Sequence, residues 1–419
     1  MDHFTLRGGE LYCEDMPLAR IAAEVGTPVY VYSQATLERH ADVFRAGLSG
    51  VDRLHLAFAV KSNPNLAVLR VLAKAGYGAD IVSGGELARA LAAGMAPADI
   101  VFSGVGKTRG ELEAALAAGI GQVNIELEEE GRALGAIAAA RGETAQAVLR
   151  VNPDVDAGTH AKISTGKAEN KFGVPIDQAP AIFARLAGTP GLNLRGVAIH
   201  IGSQLSTLAP LEAAYARIGQ LVAELRASGH TITHVDLGGG LGVPYRTDDV
   251  VPSPADYGAM VARATHGWDV ELMFEPGRVI CGNAGVLLTQ VIWVKPGVVH
   301  PHVIVDAAMN DLARPALYDA WHDFVAVRPT GARMIANIAG PVCESGDTFA
   351  VARDIDAVES GDLAIFRTAG AYGATMASTY NSRPLVPEVM VSDDHYAVVA
   401  DRIAPATILG AERVPEWLA

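Results

Sequence analysis

Short apolar runs alternate with longer amphipathic stretches from residue 54 onward, and this alternation continues for more than two hundred residues. Eight of the runs have the length and composition of buried strands, and Ala/Leu-rich stretches of helical spacing separate them. The runs are HLAFAVK, ADIVS, DIVFSG, QVNIE, AVLRVNP, LRGVAIHIG, THVDLGGG and ELMFEPG. Eight strands alternating with helices favour a closed parallel barrel over an open doubly wound sheet.

After residue 277 the rhythm changes to β-rich runs divided by Gly, Pro and Asp, which predicts a separate β domain. Near the N-terminus, PVYVYS also has the pattern of a strand, and the helix-like QATLERHADVFRAGL follows it. We therefore predict a TIM-type (β/α)8 barrel over residues 34–277. We also predict a β domain formed by residues 278–419 and completed by residues 1–33.

Composition narrows the classes of function. The chain has 419 residues, half of them hydrophobic, which is enough for two cores, and its formal charge of -14 argues against a nucleic-acid partner. The N-terminus lacks a basic region followed by an apolar one, and no stretch has the roughly 18 apolar residues of a membrane span. We expect a cytoplasmic protein without membrane association.

No metal site is predicted. Cys13, Cys281 and Cys343 lie far apart in the sequence and form no CxxC pair. His300 and His302 would share one strand face, but no third ligand is evident. A cysteine with a chemical role would therefore act as a thiol.

The ends of the barrel strands carry the candidate chemistry, because the functional loops of a parallel barrel follow those ends. Lys61 ends the first strand, and the sixth leads into His200 and Ser203. The seventh leads into GGGLG, and the eighth into EPGR at 275–278. Taken singly, Lys61 could be a solvated surface lysine, His200 a hydrogen-bonded core histidine and GGGLG an ordinary turn.

Their combination predicts a cofactor. A glycine-rich loop after the seventh strand is where barrels commonly hold phosphate through backbone N–H groups. A lysine amine at the barrel mouth can form a Schiff base with an aldehyde, and pyridoxal 5'-phosphate carries both groups. A carboxylate such as Glu275 would keep the pyridine nitrogen protonated and make the ring an electron sink.

Eight segments of the chain resemble the signature segments of the diaminopimelate decarboxylase family. They are FAVKSNPN, THAKISTGKAENKFGV, HIGSQ, DLGGGLG, EPGR, NDLARPALYDAWH, GPVCESGDTFA and GAYGATMASTYNSRP. The resemblance runs in order from about residue 25 to 400, and the last four segments distinguish this family among barrel-type decarboxylases and racemases that use pyridoxal phosphate.

The resemblance implies a pyridoxal 5'-phosphate barrel with a β domain, acting as a homodimer whose active sites lie at the subunit interface. The reaction it implies removes CO2 from the D-centre of meso-2,6-diaminopimelate and gives L-lysine, the last step of lysine biosynthesis.

The resemblance also implies cofactor-binding residues. Lys61 matches the Schiff-base lysine, His200 the imidazole stacked on the cofactor, and Glu275 the partner of the pyridinium nitrogen. Ser203 falls in the cofactor-binding HIGS segment, and Tyr372 matches a tyrosine placed in both the cofactor and substrate sites. The residues matching the phosphate cradle are Gly238, Gly239, Gly240, Pro276, Gly277 and Arg278.

For the substrate, Arg278, Arg314 and Tyr318 match the positions that hold the distal carboxylate. Glu344 matches the acid that takes the distal ammonium across the dimer interface, and Cys343 the partner-subunit acid that protonates the carbon after CO2 leaves.

Charge also bears on substrate choice. A distal end with both carboxylate and ammonium needs guanidinium groups and an acid, so Arg278, Arg314 and Glu344 favour diaminopimelate over ornithine or arginine. The alternatives are a decarboxylase of another basic amino acid, a D-amino acid or carboxynorspermidine, and a non-catalytic regulator on the same fold. Lys61, Cys343 and a complete β domain argue against the regulator.

Overall fold

The computed structural model describes residues 2–156 and 170–418, and the chain separates into two compact units. Residues 38–244 and 250–280 form one, which we call the barrel unit. Residues 1–37, 245–249 and 281–419 form the other, the sheet unit. The segment 245–249 therefore lies between two barrel elements in the sequence but belongs to the sheet unit.

The strands and helices of the described residues are numbered in chain order. The strands are β1 Phe4–Arg7, β2 Glu10–Cys13, β3 Met16–Pro17, β4 Val29–Ser33, β5 Leu54–Ala59, β6 Gly78–Ile81, β7 Ile100–Phe102, β8 Gln122–Ile125, β9 Ala145–Asn152, β10 Val174–Pro175, β11 Leu192–Ala198, β12 His234–Asp236, β13 Glu271–Phe274, β14 Gly285–Lys295, β15 His302–Val305, β16 Phe324–Ala326, β17 Arg333–Ala339, β18 Thr348–Asp356, β19 Leu363–Phe366, β20 Glu388–Ser392 and β21 His395–Ala400. The helices are α1 Leu18–Val25, α2 Gln34–Gly47, α3 Leu66–Lys74, α4 Gly84–Ala92, α5 Arg109–Ala118, α6 Glu128–Ala140, α7 Ala179–Leu186, α8 Ala209–Ala227, α9 Pro254–Ala264, α10 Arg278–Cys281, α11 Arg314–Tyr318 and α12 Pro405–Leu409.

The barrel unit closes eight parallel strands into a ring in the order β9, β11, β12, β13, β5, β6, β7, β8, with β8 pairing back to β9. The two-residue β10 adds to β9. All eight predicted barrel strands are confirmed, and each ends before its predicted end. The polar residues predicted at the strand ends therefore lie in turns just beyond the strands. There the side chains need not alternate between the two faces of the sheet.

Side-chain caps start several of the barrel helices. The Asn65 side chain accepts the Ala67 N–H at 2.9 Å at the start of α3, and Ser83 accepts the Glu86 N–H before α4. Thr108 and Ser253 form capping boxes before α5 and α9. These caps satisfy N–H groups that a helix cannot pair internally, and so they define where each of these helices begins.

The sheet unit contains a large sheet in the order β18, β17, β15, β14, β4, β20, β21, with β19 pairing with β14 and β16. The N-terminal strand β4 lies inside this sheet, antiparallel to β14 and parallel to β20. Val29, Val31, Val286 and Val389 are buried in one cluster. The prediction that the N-terminus completes the β domain is confirmed, whereas the small sheet β1–β3 was not predicted.

Among the described helices, none combines the length and the apolar character that crossing a bilayer requires.

Candidate active site

Lys61 lies in a 3₁₀ turn, Val60–Ser62, directly after β5. The prediction that Lys61 is the last residue of the strand is wrong, because the Ser62 hydroxyl donates to the Ala59 carbonyl at 2.7 Å and closes a turn there. The Lys61 ammonium donates to Asp80 Oδ2 on the neighbouring strand β6. The Asp80 side chain is fully buried, so this ion pair holds the amine at the end of the barrel strands.

The second oxygen of Asp80 has a different environment. Oδ1 is buried, and none of the described residues donates a hydrogen bond to it. Leaving a buried carboxylate oxygen without a donor costs about 1–3 kcal/mol or more. This atom therefore marks a position where a polar group outside the protein chain would be favourable.

Glu275 follows β13 and is buried within a cluster of polar side chains. Ser103 Oγ donates to Glu275 Oε1 at 3.3 Å, and Asn124 Nδ2 lies 3.4 Å from the same oxygen. Asn124 Nδ2 also donates to Asp236 Oδ2 at 2.8 Å. Residues at the ends of β7, β8 and β12 thus surround the carboxyl group of Glu275, which follows a fourth strand, β13.

Burial raises the pKa of Glu275 well above its usual range, and the negative charges of Asp236 and Asp80 raise it further, although Lys61 opposes them. Burial also raises the pKa of Asp236, but hydrogen bonds from Asn124 and from the Gly238 N–H counteract this rise. The proton of the pair therefore resides on Glu275, which donates to Asp236. Of the two carboxyl groups, Glu275 is therefore the one whose surroundings favour the protonated form.

His200 lies two residues beyond β11 and carries no charge at neutral pH. Burial lowers its pKa well below the usual value, and the positive charges of Arg150 and Lys61 add to this effect. The Gly239 N–H donates to His200 Nδ1 at 3.3 Å, so the proton of the neutral ring is on Nε2. The histidine offers a neutral aromatic face.

The glycine-rich loop after β12 depends on the absence of side chains. A Cβ on Gly239 would lie 2.2 Å from the Glu275 carbonyl oxygen, and one on Gly240 would lie 2.5 Å from the Gly202 carbonyl oxygen. Gly238 has φ 65°, and its N–H donates to Asp236 Oδ1 at 2.9 Å. The loop packs tightly, and the amides of Gly238 and Gly239 already have protein partners.

The EPGR turn and the HIGS turn also meet in the barrel unit. Arg278 Nη2 donates to Ser203 Oγ at 3.0 Å, and the Arg278 side chain is largely buried. A Cβ on Gly277 would lie 3.0 Å from Ser62 Oγ in the Lys61 turn. The turns after β5, β11 and β13 therefore assemble into one group at the same end of the barrel.

The sheet unit carries the remaining predicted residues. Arg314 and Tyr318 are the first and last residues of α11, and Arg314 is buried. Tyr372 is partly exposed and has a left-handed backbone with φ 57°, a conformation that few non-glycine residues adopt.

Cys343 and Glu344 lie in the loop between β17 and β18, and both are exposed. The Cys343 N–H donates to Asn381 Oδ1 at 3.1 Å, and the Tyr380 hydroxyl donates to Glu344. The buried Asp347 carboxylate accepts the Val342 N–H at 2.7 Å and so holds the loop from its other side. The thiol is therefore presented to solvent on a hydrogen-bonded loop.

The structure thus divides the predicted site residues between the two units. It also adds buried polar residues that the sequence analysis missed, namely Asp80, Ser103, Asn124 and Asp236. Each of them is a polar residue within or just after a short apolar strand, and this pattern in the sequence could have identified them. The quoted segment THAKISTGKAENKFGV falls mostly in 157–169, which lie outside the described residues.

Comparisons with known proteins assign the chain to a family. A family profile described as "Pyridoxal-dependent decarboxylase, pyridoxal binding domain" matches residues 34–282. The diaminopimelate decarboxylase of Zymomonas mobilis is 50% identical over 418 residues, which is 99% of each chain. This chain belongs to the diaminopimelate decarboxylase family.

Other members of this family agree. The diaminopimelate decarboxylase of Pseudomonas aeruginosa is 51% identical over 395 residues, 94% of each chain. The crystal structure of diaminopimelate decarboxylase from M. jannaschii in complex with L-lysine superposes with a TM-score of 0.95 at 34% identity, covering 100% of this chain and 99% of that one. The predicted fold class and family are confirmed.

The cofactor of this family is pyridoxal 5'-phosphate, and the residues of the barrel unit fit it. The chain provides an amine at Lys61, a buried carboxyl group of raised pKa at Glu275 and a tightly packed glycine loop. Asp80 Oδ1 belongs to the same carboxylate as Oδ2, the partner of the Lys61 amine. It is buried and has no hydrogen-bond donor among the described residues. Lys61, Glu275 and the loops at 238–240 and 276–278 would hold the cofactor.

Proposed function

We propose that this protein decarboxylates meso-2,6-diaminopimelate at its D-centre and releases L-lysine and CO2, the last step of lysine biosynthesis. The observation that carries the proposal is the Lys61 amine, ion-paired with buried Asp80 in a barrel where burial raises the pKa of Glu275. The 50% identity to the Zymomonas mobilis diaminopimelate decarboxylase supports the choice of reaction.

When bound, pyridoxal 5'-phosphate supplies a conjugated ring that takes up the electron pair left by the departing CO2. Lys61 would hold the cofactor through its amine, which Asp80 orients. Glu275 would supply a proton to the ring nitrogen, and His200 would offer its neutral aromatic face to the cofactor. Cys343 then delivers a proton from Sγ to the carbon that has lost CO2, and the thiolate regains one from solvent.

Glu275→Gln is expected to retain the cofactor but lower turnover roughly 100-fold or more, because an amide cannot supply the proton that the ring nitrogen needs. Steady-state CO2 release and the visible spectrum measure the two effects. Glu271→Gln is the matched control and should keep normal turnover, because Glu271 is the half-exposed first residue of β13, the strand that Glu275 follows. Unchanged turnover in Glu275→Gln would remove its proposed role.

We propose that the distal end of the substrate is recognised by charge. Arg278, Arg314 and Tyr318 hold the distal carboxylate, and Glu344 takes the distal ammonium. In the described structure Arg278 and Arg314 are both buried, which strengthens their hydrogen bonds to a carboxylate. Ornithine has no distal carboxylate and would leave these guanidinium groups without their ligand.

CO2 release from a panel of amino acids tests this assignment. We expect turnover of meso-diaminopimelate and at least roughly 100-fold lower kcat/KM for ornithine, lysine and arginine, because each lacks the carboxylate that the two guanidinium groups bind. The LL and DD stereoisomers of diaminopimelate belong in the same panel. Absence of turnover on every diaminopimelate isomer would reject the proposed reaction.

We also propose that the two domains, and the two subunits of a dimer, contribute different parts of the active site. The barrel domain, residues 34–277, holds the cofactor, and the β domain, residues 1–33 and 278–419, carries substrate-binding residues. The protein acts in the cytoplasm as a homodimer in which Cys343 and Glu344 serve the active site of the partner subunit. Exposure of both residues on one loop supports this arrangement.

A further inference from the structure

The guanidinium group of Arg314 has two neutral neighbours in the sheet unit. Its Cζ lies 4.7 Å from the centroid of the Tyr245 ring, and its Nη1 lies 2.9 Å from His322 Nε2. These two contacts orient the guanidinium group without cancelling its charge. The first is a cation–π contact, and the second uses one of the five N–H donors of arginine.

The hydrogen bonds of His322 determine its tautomer. Arginine can only donate, so Nε2 must accept the Arg314 hydrogen bond. Nδ1 lies 2.9 Å from the backbone carbonyl oxygen of Arg367, which can only accept, so Nδ1 carries the proton. The His322 ring is 1% exposed, so water cannot substitute for either partner. An imidazolium ion could not accept from Arg314 and would repel it.

The groups around His322 keep this arrangement in one place. The Tyr245 ring contacts the imidazole edge-on, with centroids 5.4 Å apart and planes at 87°. The Tyr245 N–H donates to Asp249 Oδ2 at 2.9 Å, which closes the turn of segment 245–249. Arg353 Nη1 donates to the His322 carbonyl oxygen at 2.5 Å and stacks on Trp321. Arg314 thus contacts the ring of His322, and Arg353 contacts its backbone.

We propose that His322 is a positioning residue for substrate recognition, which holds Arg314 in one orientation against Tyr245 and so presents the guanidinium group to the distal carboxylate. The inference rests on the proposed role of Arg314. The distal carboxylate of diaminopimelate is retained in the product as the carboxylate of L-lysine. Product inhibition therefore reports on the same contact independently of the chemical step.

His322→Phe keeps an aromatic ring against Tyr245 but removes both ring hydrogen bonds. We expect the KM for meso-diaminopimelate and the inhibition constant of L-lysine each to rise about 10-fold, with kcat nearly unchanged. Inhibition by cadaverine, which has no carboxylate, should not change. His322→Gln can donate and accept through its amide, and it should restore most of the lost affinity.

A pair of amide variants provides a second readout. The asparagine amide coincides with Nδ1 of the imidazole and can donate to the Arg367 carbonyl oxygen without reaching Arg314, whereas the longer glutamine amide reaches the position of Nε2. His322→Asn should therefore raise the KM and His322→Gln should not. If His322→Phe does not fold, this comparison decides, and identical constants in His322→Asn and His322→Gln would overturn the inference.

A matched histidine provides the control. His230 also contacts an aromatic ring edge-on, with its centroid 5.0 Å from that of Phe183 in the barrel unit, and His230→Phe should leave the KM unchanged. Unchanged constants in His322→Phe together with raised ones in Arg314→Met would reject the role of His322 alone. Unchanged constants in Arg314→Met as well would reject the proposed substrate contact of Arg314.

Discussion

Lys61→Ala is expected to abolish the visible absorbance of the bound cofactor and to lower kcat/KM by roughly four orders of magnitude or more. A covalent linkage between the Lys61 amine and the cofactor aldehyde would absorb visible light, and alanine offers no amine to form it. Asp80 would also lose its cationic partner, and its fully buried carboxylate would become an uncompensated charge. That loss costs several kcal/mol, so weaker thermal stability should accompany the loss of colour.

Absorbance spectra, turnover and thermal unfolding of the native protein and the variant test this expectation. Lys74→Ala is the matched control, because Lys74 is the exposed last residue of α3 on the neighbouring stretch of chain. It should keep the colour and the activity. Retained colour in Lys61→Ala, or a native protein that gains no absorbance on addition of pyridoxal 5'-phosphate, would contradict the assignment.

Cys343→Ala is expected to keep the visible absorbance and to lose product formation by roughly 100- to 10,000-fold, because the carbon that has lost CO2 would be without the proton donor proposed for it. Cys13 and Cys281 are buried and unsuitable as controls, since truncating them would leave cavities. Ser345→Ala, two residues away on the same exposed loop, should leave turnover unchanged. A fully active Cys343→Ala protein would remove the thiol from the reaction.

Mixing the two inactive variants tests the shared site. Random exchange of subunits between Lys61→Ala and Cys343→Ala dimers makes half of the dimers hybrids, each with one intact site if Cys343 serves the partner subunit. Activity should then recover to about one quarter of the native value. No recovery after demonstrated subunit exchange would place Lys61 and Cys343 of one chain in the same active site.

Much of the barrel followed from local sequence pattern. The alternation of apolar runs with amphipathic stretches located all eight strands, because burial on both faces makes each strand a short continuous apolar run. The predicted positions of the strand ends were less accurate. The sequence could not show that the Ser62 hydroxyl closes a turn on Ala59, and this local hydrogen bond moves Lys61 out of the strand.

The candidate site was predictable where one motif carries one chemical group, as at Lys61, Glu275 and the glycines at 238–240. The environment of those groups was not. Asp80, Asn124 and Asp236 lie on three different strands, and only closure of the ring brings their side chains around Glu275 and Lys61. Burial and the neighbouring carboxyl groups together raise the pKa of Glu275, so this raised pKa is a property of the tertiary structure.

The same distinction applies to substrate recognition. The sequence by itself determined which residues carry charge, and Arg278, Arg314 and Glu344 followed from motifs. Only the tertiary structure decided that Tyr245, which follows a barrel strand in the sequence, belongs to the sheet unit and packs on Arg314 beside His322. Local pattern records backbone periodicity and residue type, whereas contacts between residues about 70 positions apart depend on how the whole chain folds.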